Sequence, residues 1–179
     1  MKSFLVCKRP RKTTAERGQA ILELVPVMVL LLTLTFAVID FSRAIWQVEV
    51  ITGLTREGSN LASRNTSLTD SATAVINDGA VLNLASNGNV IITSVQNVGG
   101  SFVITGQYST GSLSSVSKVG VYTPTVTPLA TLPVTTPTIP QPGGTIYVTE
   151  IFSQFSPITP LGAFVNYALP STLYDVAYF

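Results

Sequence analysis

Residues 17–24 read RGQAILEL and begin an apolar run that continues to Ile39. From Ala20 to Ile39, one side chain is ionisable, that of Glu23. A helix of twenty residues is about 30 Å long, which matches the hydrocarbon thickness of a bilayer. We therefore predict a membrane-spanning helix at residues 20–39.

Glu23 is an unusual residue for such a span, because a carboxylate in hydrocarbon costs about 2.5–3.5 kcal/mol even on a permissive scale. One interpretation is that Glu23 lies near the headgroups and stays hydrated. The other is that the chain is cut after Gly18. Gln19 would then be the N-terminus and Glu23 the fifth residue, one turn from the new ammonium group and favoured by the helix dipole.

The order of a basic leader, a glycine and an apolar helix with glutamate at the fifth mature position resembles the precursor signal of type IV pilins. More narrowly, residues 16–25 (ERGQAILELV) resemble the start of TadE-like pseudopilins of the Tad (Flp) pilus system. Two later pieces agree, IDFSRA at 39–44 and LTREG at 54–58. The family usually continues the second piece with a small residue and arginine, whereas this chain has Ser59 and Asn60.

The resemblance implies a minor pilin precursor that a prepilin peptidase cuts between Gly18 and Gln19. It implies that Arg17, Glu23 and Leu24 serve peptidase recognition or assembly, with Glu23 pairing with the α-amino group of Gln19 in a neighbouring subunit. The implied partners are the peptidase, other pilin or pseudopilin subunits and the Tad assembly machinery. Major Flp pilins are usually much shorter than this chain, so a minor role in pilus biogenesis, with its adhesion, surface attachment and secretion, is expected.

The charge distribution predicts the orientation in the membrane. Six of the ten basic residues lie in the first seventeen positions, which we interpret as a cytoplasmic leader at residues 1–18. The cluster has no interleaved aromatic residues, so we do not expect nucleic acid binding. After a cut at Gly18, four basic and eight acidic side chains would remain, a net side-chain charge of −4. We predict a single-pass protein of the cytoplasmic membrane with its N-terminus inside, whose mature form can enter an extracellular pilus.

The residue types present do not predict an enzyme. The chain has no histidine and one cysteine, Cys7, which would leave with the leader. Triads that use histidine and histidine metal sites are therefore excluded, and we expect no metal or cofactor.

The span is predicted to continue as an amphipathic helix, giving one helix over residues 19–64. Apolar and small residues recur every three or four positions, at Phe41, Ile45, Val48, Ile51, Thr55, Gly58 and Ala62. Asp40 and Arg43 are expected to form a solvated pair at the membrane surface. In the second motif, Arg56, Glu57 and Gly58, the glycine suits close approach by a neighbouring element.

Residues 65–179 are predicted to form an extracytoplasmic β-rich domain, giving an α+β fold with the long helix packed on a mainly antiparallel sheet. Thr69 or Asp70 would cap a second helix that ends near Ala85. The predicted strands are 90–98 and 102–108 as a hairpin, 116–122, 145–155 and 173–179. The Pro/Thr-rich segment 123–144 is expected to be a surface loop. A linker and a glycosylated segment are the alternatives.

The C-terminal 35 residues hold eight of the aromatic residues, which would complete the sheet or form an exposed docking patch. A different class of function also fits the chain. An uncleaved single-pass anchor could present an extracellular adhesive or binding domain. Cleavage after Gly18 discriminates between the two functions.

Overall fold

A long helix dominates the computed structural model, which describes residues 14–132 and 141–179. Helix α1 runs from Thr14 to Ser63, 50 residues and therefore about 75 Å, with Pro26 inside it. The helix thus begins earlier than the predicted residue 19 and includes residues 14–18 of the predicted leader at 1–18. Residues 1–13 of that leader lie outside the described residues. The part from Ile21 to Ser63 is long and apolar enough to cross a membrane, and its most apolar window is not buried by the rest of the chain.

A second helix, α2 (Leu68–Asp78), follows the predicted turn. Its cap is Ser67, whose hydroxyl accepts the amide of Asp70 at 3.0 Å, so the prediction of Thr69 or Asp70 as the cap was wrong. The predicted continuation to Ala85 is interrupted by a 3-10 helix at Gly79–Leu82, before α3 (Leu84–Asn87). A Cβ on Gly79 would lie 2.2 Å from Leu84 Cδ1, so this tight turn requires glycine.

Four antiparallel strands form one sheet in the order β2-β1-β3-β4. They are β1 (Gly88–Val98), β2 (Ser101–Gly111), β3 (Thr145–Gln154) and β4 (Thr172–Tyr178). The predicted hairpin is confirmed, and its turn places Gly99 and Gly100 at φ 60° and 90°, which suits residues without a Cβ. A short helix that the sequence did not predict, α4 (Gly162–Ala168), joins β3 to β4.

The outer half of α1 and helix α2 cover one face of the sheet. Ile51 and Leu54 of α1 join Val75 of α2 and strand residues such as Val90 and Ile151 in the larger core cluster. From Ile51 onward the predicted helix stripe is buried. Its first three members, Phe41, Ile45 and Val48, are exposed, so that part of the prediction was wrong. Ala44 and Gln47 are the buried residues in that part of α1. The predicted α+β architecture, a long apolar helix packed on a small antiparallel sheet, is confirmed.

An irregular segment covers the opposite face of the sheet, where a strand at 116–122 was predicted. That prediction was wrong. Val119 is buried with Val95, Ile104 and Val148, while Lys118 donates its backbone amide to the carboxylate of Glu150 at 2.8 Å. The segment therefore lies across the sheet instead of extending it.

The first part of the Pro/Thr-rich segment is held at the edge of β2. The amide of Ile104 donates to the carbonyl of Pro128 at 2.9 Å, and that of Ala130 donates to the carbonyl of Phe102 at 2.8 Å. Proline suits this edge because its carbonyl accepts while its missing N–H is not required. Residues 133–140 of the predicted loop lie outside the described residues.

The C-terminal aromatic residues include both buried and exposed side chains, and the docking patch stays a prediction. Phe152 and Phe155 are buried, and the rings of Phe152 and Tyr174 lie 4.9 Å apart, so these side chains complete the core. Tyr167 and Phe179 are exposed.

Candidate functional site

The predicted cleavage segment lies on the N-terminal part of α1, which the sheet domain does not cover and which we call the bare part. Gly18 and Gln19 are exposed, and nothing lies within 4 Å of where a Cβ on Gly18 would stand. Leu24 is also exposed. Arg17 belongs to α1, but its side chain lies outside the described residues. The backbone around Gly18 is helical and unobstructed by the sheet domain.

Glu23 is exposed one helical turn after Gln19, and it accepts a hydrogen bond from Gln19 Nε2 at 3.2 Å. This bond comes from the glutamine side chain, not from an α-amino group, because the chain continues through Gly18. A neutral donor relieves part of the cost of a carboxylate in hydrocarbon without neutralising its charge.

Asp40 is fully buried, although a solvated surface pair with Arg43 was predicted, so that prediction was wrong. Its Oδ1 accepts the amide of Ile158 at 3.1 Å, and its Oδ2 accepts the hydroxyl of Thr159 at 2.5 Å. Hydrogen bonds to an ionised acceptor are roughly twice as strong as neutral ones. The carboxylate therefore fixes the loop between β3 and α4 to the long helix.

Two further side chains extend this attachment along α1. Arg43 Nη1 donates to the carbonyl of Ser156 at 3.4 Å. One turn later, Gln47 Nε2 donates to Ser153 Oγ at 2.7 Å and lies 3.3 Å from the carbonyl of Gln154. Asp40, Arg43 and Gln47 thus hold the end of β3 and the loop after it. We call these three residues the polar latch.

Two hydroxyls of α1 attach strand β4. Thr55 Oγ1 donates to Asp175 Oδ2 at 2.6 Å. Ser59 Oγ accepts the amide of Thr149 at 3.0 Å and donates to the carbonyl of Ala177 at 3.0 Å. The Ser59 hydroxyl therefore bridges two paired strands. Ser59, the small residue that follows the second motif, is thus an internal structural contact.

Gly58 marks a close approach between α1 and the sheet. It is buried, and a Cβ there would lie 2.9 Å from Thr149 Cγ2 and 2.9 Å from Val75 Cγ2. Real Cβ contacts do not reach this distance, so a side chain at this position would push α1 away from β3 and α2. The predicted role of Gly58 in close approach is confirmed.

Arg56 and Glu57, the other residues of the second motif, are exposed. They line an open groove of about 360 Å³ at the distal end of α1, together with Asn60, Arg64 and the C-terminal Phe179. The motif Arg56-Glu57-Gly58 therefore divides into two charged surface residues and one packing residue.

A second buried carboxylate, that of Glu150, lies on the sheet face opposite α1 and was missed in the sequence. It accepts the hydroxyls of Ser117 and Tyr174, the latter at 3.0 Å, besides the amide of Lys118. The ammonium of Lys118 lies 3.4 Å from the centre of the Tyr174 ring. Burial, and then the nearby carboxylate of Glu150, raise the pKa of Tyr174 well above its usual range.

The Glu150 cluster has a structural explanation. A buried carboxylate needs several donors, and here they come from the irregular segment and β4. An acidic residue within the β-rich run 145–155 was the sequence signal for it.

Within residues 14–132 and 141–179, no group of three or more histidine, cysteine, aspartate or glutamate residues could hold a metal ion.

The predicted site residues therefore fall into separate places along α1. Gly18, Gln19, Glu23 and Leu24 lie on the bare part, and Asp40 and Arg43 lie where the sheet domain begins. About 33 Å of helix separates Gly18 from Asp40. The polar partners Gln47, Thr55 and Ser59 were not predicted as contacts. Polar residues on an otherwise apolar stripe were the available signal.

Comparison with known families gives a match to the TadE family, described as TadE-like protein, over residues 18–60. The matched segment begins at Gly18 and includes Glu23, the polar latch and the motif 56–58. No curated protein and no solved structure matches the chain. The resemblance seen in residues 16–25, 39–44 and 54–58 is thus confirmed by a TadE-like segment at residues 18–60, which is consistent with a TadE-like protein of the Tad pilus system.

Proposed function

We propose that the chain is a minor pilin, or pseudopilin, precursor that a prepilin peptidase cuts after Gly18. The observation that carries the proposal is that the TadE-like match begins at Gly18 and includes the exposed, apolar part of α1 at residues 21–34. A helix that leaves the bilayer for a filament must offer an unoccupied apolar surface, because lipid and neighbouring helices are alternative partners for the same side chains. The chain would be a substrate of the peptidase and carry out no chemistry itself.

The division of α1 into two parts supports this function. Residues 21–34 are exposed, whereas the part after Asp40 is fastened to the sheet by the polar latch, Thr55 and Ser59. Such an arrangement lets the bare part exchange lipid for pilin helices while the folded domain stays intact. Assembly with other pilin-like subunits and the Tad machinery is the corresponding partner proposal.

Glu23 would help to order the assembled subunits. After cleavage, Gln19 would carry an α-amino group about one turn from Glu23, and the same group of an adjacent subunit could reach the carboxylate. An ion pair in a medium of low dielectric constant is strong enough to specify register, because leaving either charge unpaired is costly.

The uncleaved anchor is retained as the second function because α1 passes through Gly18 without a break. A peptidase needs this backbone to leave the helix before cleavage. A stable helix at Gly18 would instead favour a permanent anchor that presents the sheet domain outside the cell.

The test is the N-terminal sequence and intact mass of the protein isolated from membranes with and without an active prepilin peptidase. We expect a product beginning at Gln19 only with the peptidase. Gly18→Val should block the cut, because a branched side chain obstructs close approach of the backbone to an active site. Gly53→Val is the matched control, since Gly53 is also exposed in α1 with open space around it. Retention of residues 1–18 under both conditions would overturn the pilin function in favour of the anchor.

A further inference from the structure

Helix α4 lies beside the part of α1 that is expected to be inside the bilayer. Thr33, Ala37 and Phe41 of α1 share an apolar groove of about 250 Å³ with Leu161, Val165 and Ala168. Thr33 and Ala37 belong to the apolar run that ends at Ile39. The groove is therefore continuous with the surface of the candidate membrane span.

The position of Thr33 indicates how deep the groove would lie. Thr33 precedes Ile39 by six residues, which is about 9 Å along a helix. If residues 20–39 cross the hydrocarbon, the groove reaches down beside the last two turns of the span. Helix α4 then lies at the level of the acyl chains and headgroups, not above them.

The composition of the segment fits that environment. Residues 156–172 contain no charged side chain. Outward-facing apolar and aromatic side chains are present, with Ile158 66% exposed and Tyr167 96% exposed. Tyrosine is enriched at membrane interfaces because its ring is apolar and its hydroxyl is polar. Exposure of these apolar side chains to water is unfavourable, and insertion into a bilayer would remove that cost.

We propose that residues 157–170 form a collar that inserts into the membrane leaflet nearer the sheet, with lipid acyl chains covering the groove between α1 and α4. The proposal rests on the membrane span of the proposed function, and it is independent of cleavage after Gly18. The collar would fix the position of the sheet domain relative to the bilayer surface, which a single helix alone does not do.

The polar latch is what holds the collar at this depth. Asp40 is the first residue after the apolar run, and its carboxylate is bound by Ile158 and Thr159 at the start of the collar. The same contacts keep the Asp40 charge away from lipid, because the residue has no exposed surface. Two hydrogen bonds to one carboxylate thus position the collar and let that carboxylate occupy the membrane boundary.

The experiment measures the depth of single fluorescent labels in lipid vesicles. The full chain with Cys7→Ser would carry one new cysteine labelled with an environment-sensitive dye, reconstituted at low protein-to-lipid ratio. Tyr167→Cys is the test position. Leu30→Cys, exposed within the span, is the control for insertion, and Thr73→Cys, exposed on α2, is the control for water. Nitroxide groups on the lipid acyl chains quench dyes that lie at their depth.

We expect the label at 167 to show blue-shifted emission and to lose most of its fluorescence with the nitroxide lipid, as the label at 30 does, while the label at 73 is unaffected. Quenching at 30 but not at 167 would overturn the collar and leave the span intact. Quenching at neither would overturn both. A blue shift at 167 that ignores the nitroxide and grows with protein concentration would assign the groove to a second copy of the chain, and would also overturn the collar.

Discussion

The carboxylate of Asp40 accepts the backbone amide of Ile158 at 3.1 Å, although the two residues are 118 positions apart in the chain. This contact joins the end of the apolar run to the loop before α4. It also explains how a charged residue is accommodated at the point where the helix leaves its apolar part.

Replacing Asp40 by alanine should detach that loop. The variant leaves the amide of Ile158 and the hydroxyl of Thr159 without their acceptor. A hydrogen bond to a charged group contributes about 1.5–3 kcal/mol. Amide hydrogen exchange of the full chain in detergent would show faster exchange around residues 156–162. Asp40→Asn keeps one acceptor oxygen, so its exchange rate in this segment should lie between those of the unmodified chain and Asp40→Ala. Glu49→Ala, at an exposed position of the same helix, is the control. Unchanged exchange in Asp40→Ala would contradict the latch.

Gly58→Ala should destabilise the fold in spite of the higher helix propensity of alanine. The added methyl group would lie 2.9 Å from Thr149 and Val75. Overpacking of this kind costs about 1–3 kcal/mol, against a gain of about 1 kcal/mol in propensity. Thermal unfolding followed by circular dichroism measures the difference. Gly53→Ala makes the same chemical change where space is open, so it should leave stability equal or raise it slightly. Equal effects of the two variants would disprove the close contact.

The Tyr174–Glu150 contact should limit stability at alkaline pH. Burial and the Glu150 carboxylate raise the pKa of Tyr174, and the same two causes raise the pKa of Tyr178. The folded state therefore holds these protons more tightly than the unfolded chain, whose tyrosine pKa is about 10. The resulting stability is complete below that pH and is lost as the pH rises above it.

Tyr174→Phe removes one of these protons, so its unfolding temperature should fall less between pH 9 and pH 11 than that of the unmodified chain. Tyr167→Phe controls for loss of a tyrosine at an exposed position. Parallel curves for Tyr174→Phe and the unmodified chain would show that Tyr174 is not the linked group.

Glu23→Gln should leave membrane insertion intact and lower incorporation into pili. The amide is nearly isosteric and removes the cost of a charge in hydrocarbon, but it cannot form an ion pair with the α-amino group of Gln19. Sheared pili and membranes would be compared by immunoblot, with Glu49→Gln as the control at an exposed position. Normal incorporation of Glu23→Gln, together with normal pilus number, would rule out the pairing.

Local patterns in the chain determined more of the fold than of the site. The apolar run to Ile39 and the stripe that follows it specified one long helix, since helical periodicity repeats within a few residues. The Gly99-Gly100 turn between β-rich runs specified the β1–β2 hairpin. Gly58 was recognised as a contact point because a small residue on a buried stripe has few other uses.

The errors arose where long-range contacts outweigh local preference. Residues 116–122 are rich enough in valine and tyrosine for a strand, but the carboxylate of Glu150 holds the Lys118 amide across the sheet instead. Ser67 was overlooked as a cap because Thr69 and Asp70 are equally good candidates by residue type.

The sequence by itself determined the apolar span, the α+β class and the TadE-like segment, because each depends on residues close together in the chain. Only the tertiary structure decided that Asp40 is buried, that Ser59 bridges β3 and β4, and that α4 lies beside Thr33 and Ala37. These contacts join residues up to about 130 positions apart, and the free energy of such a contact depends on packing that no local pattern encodes.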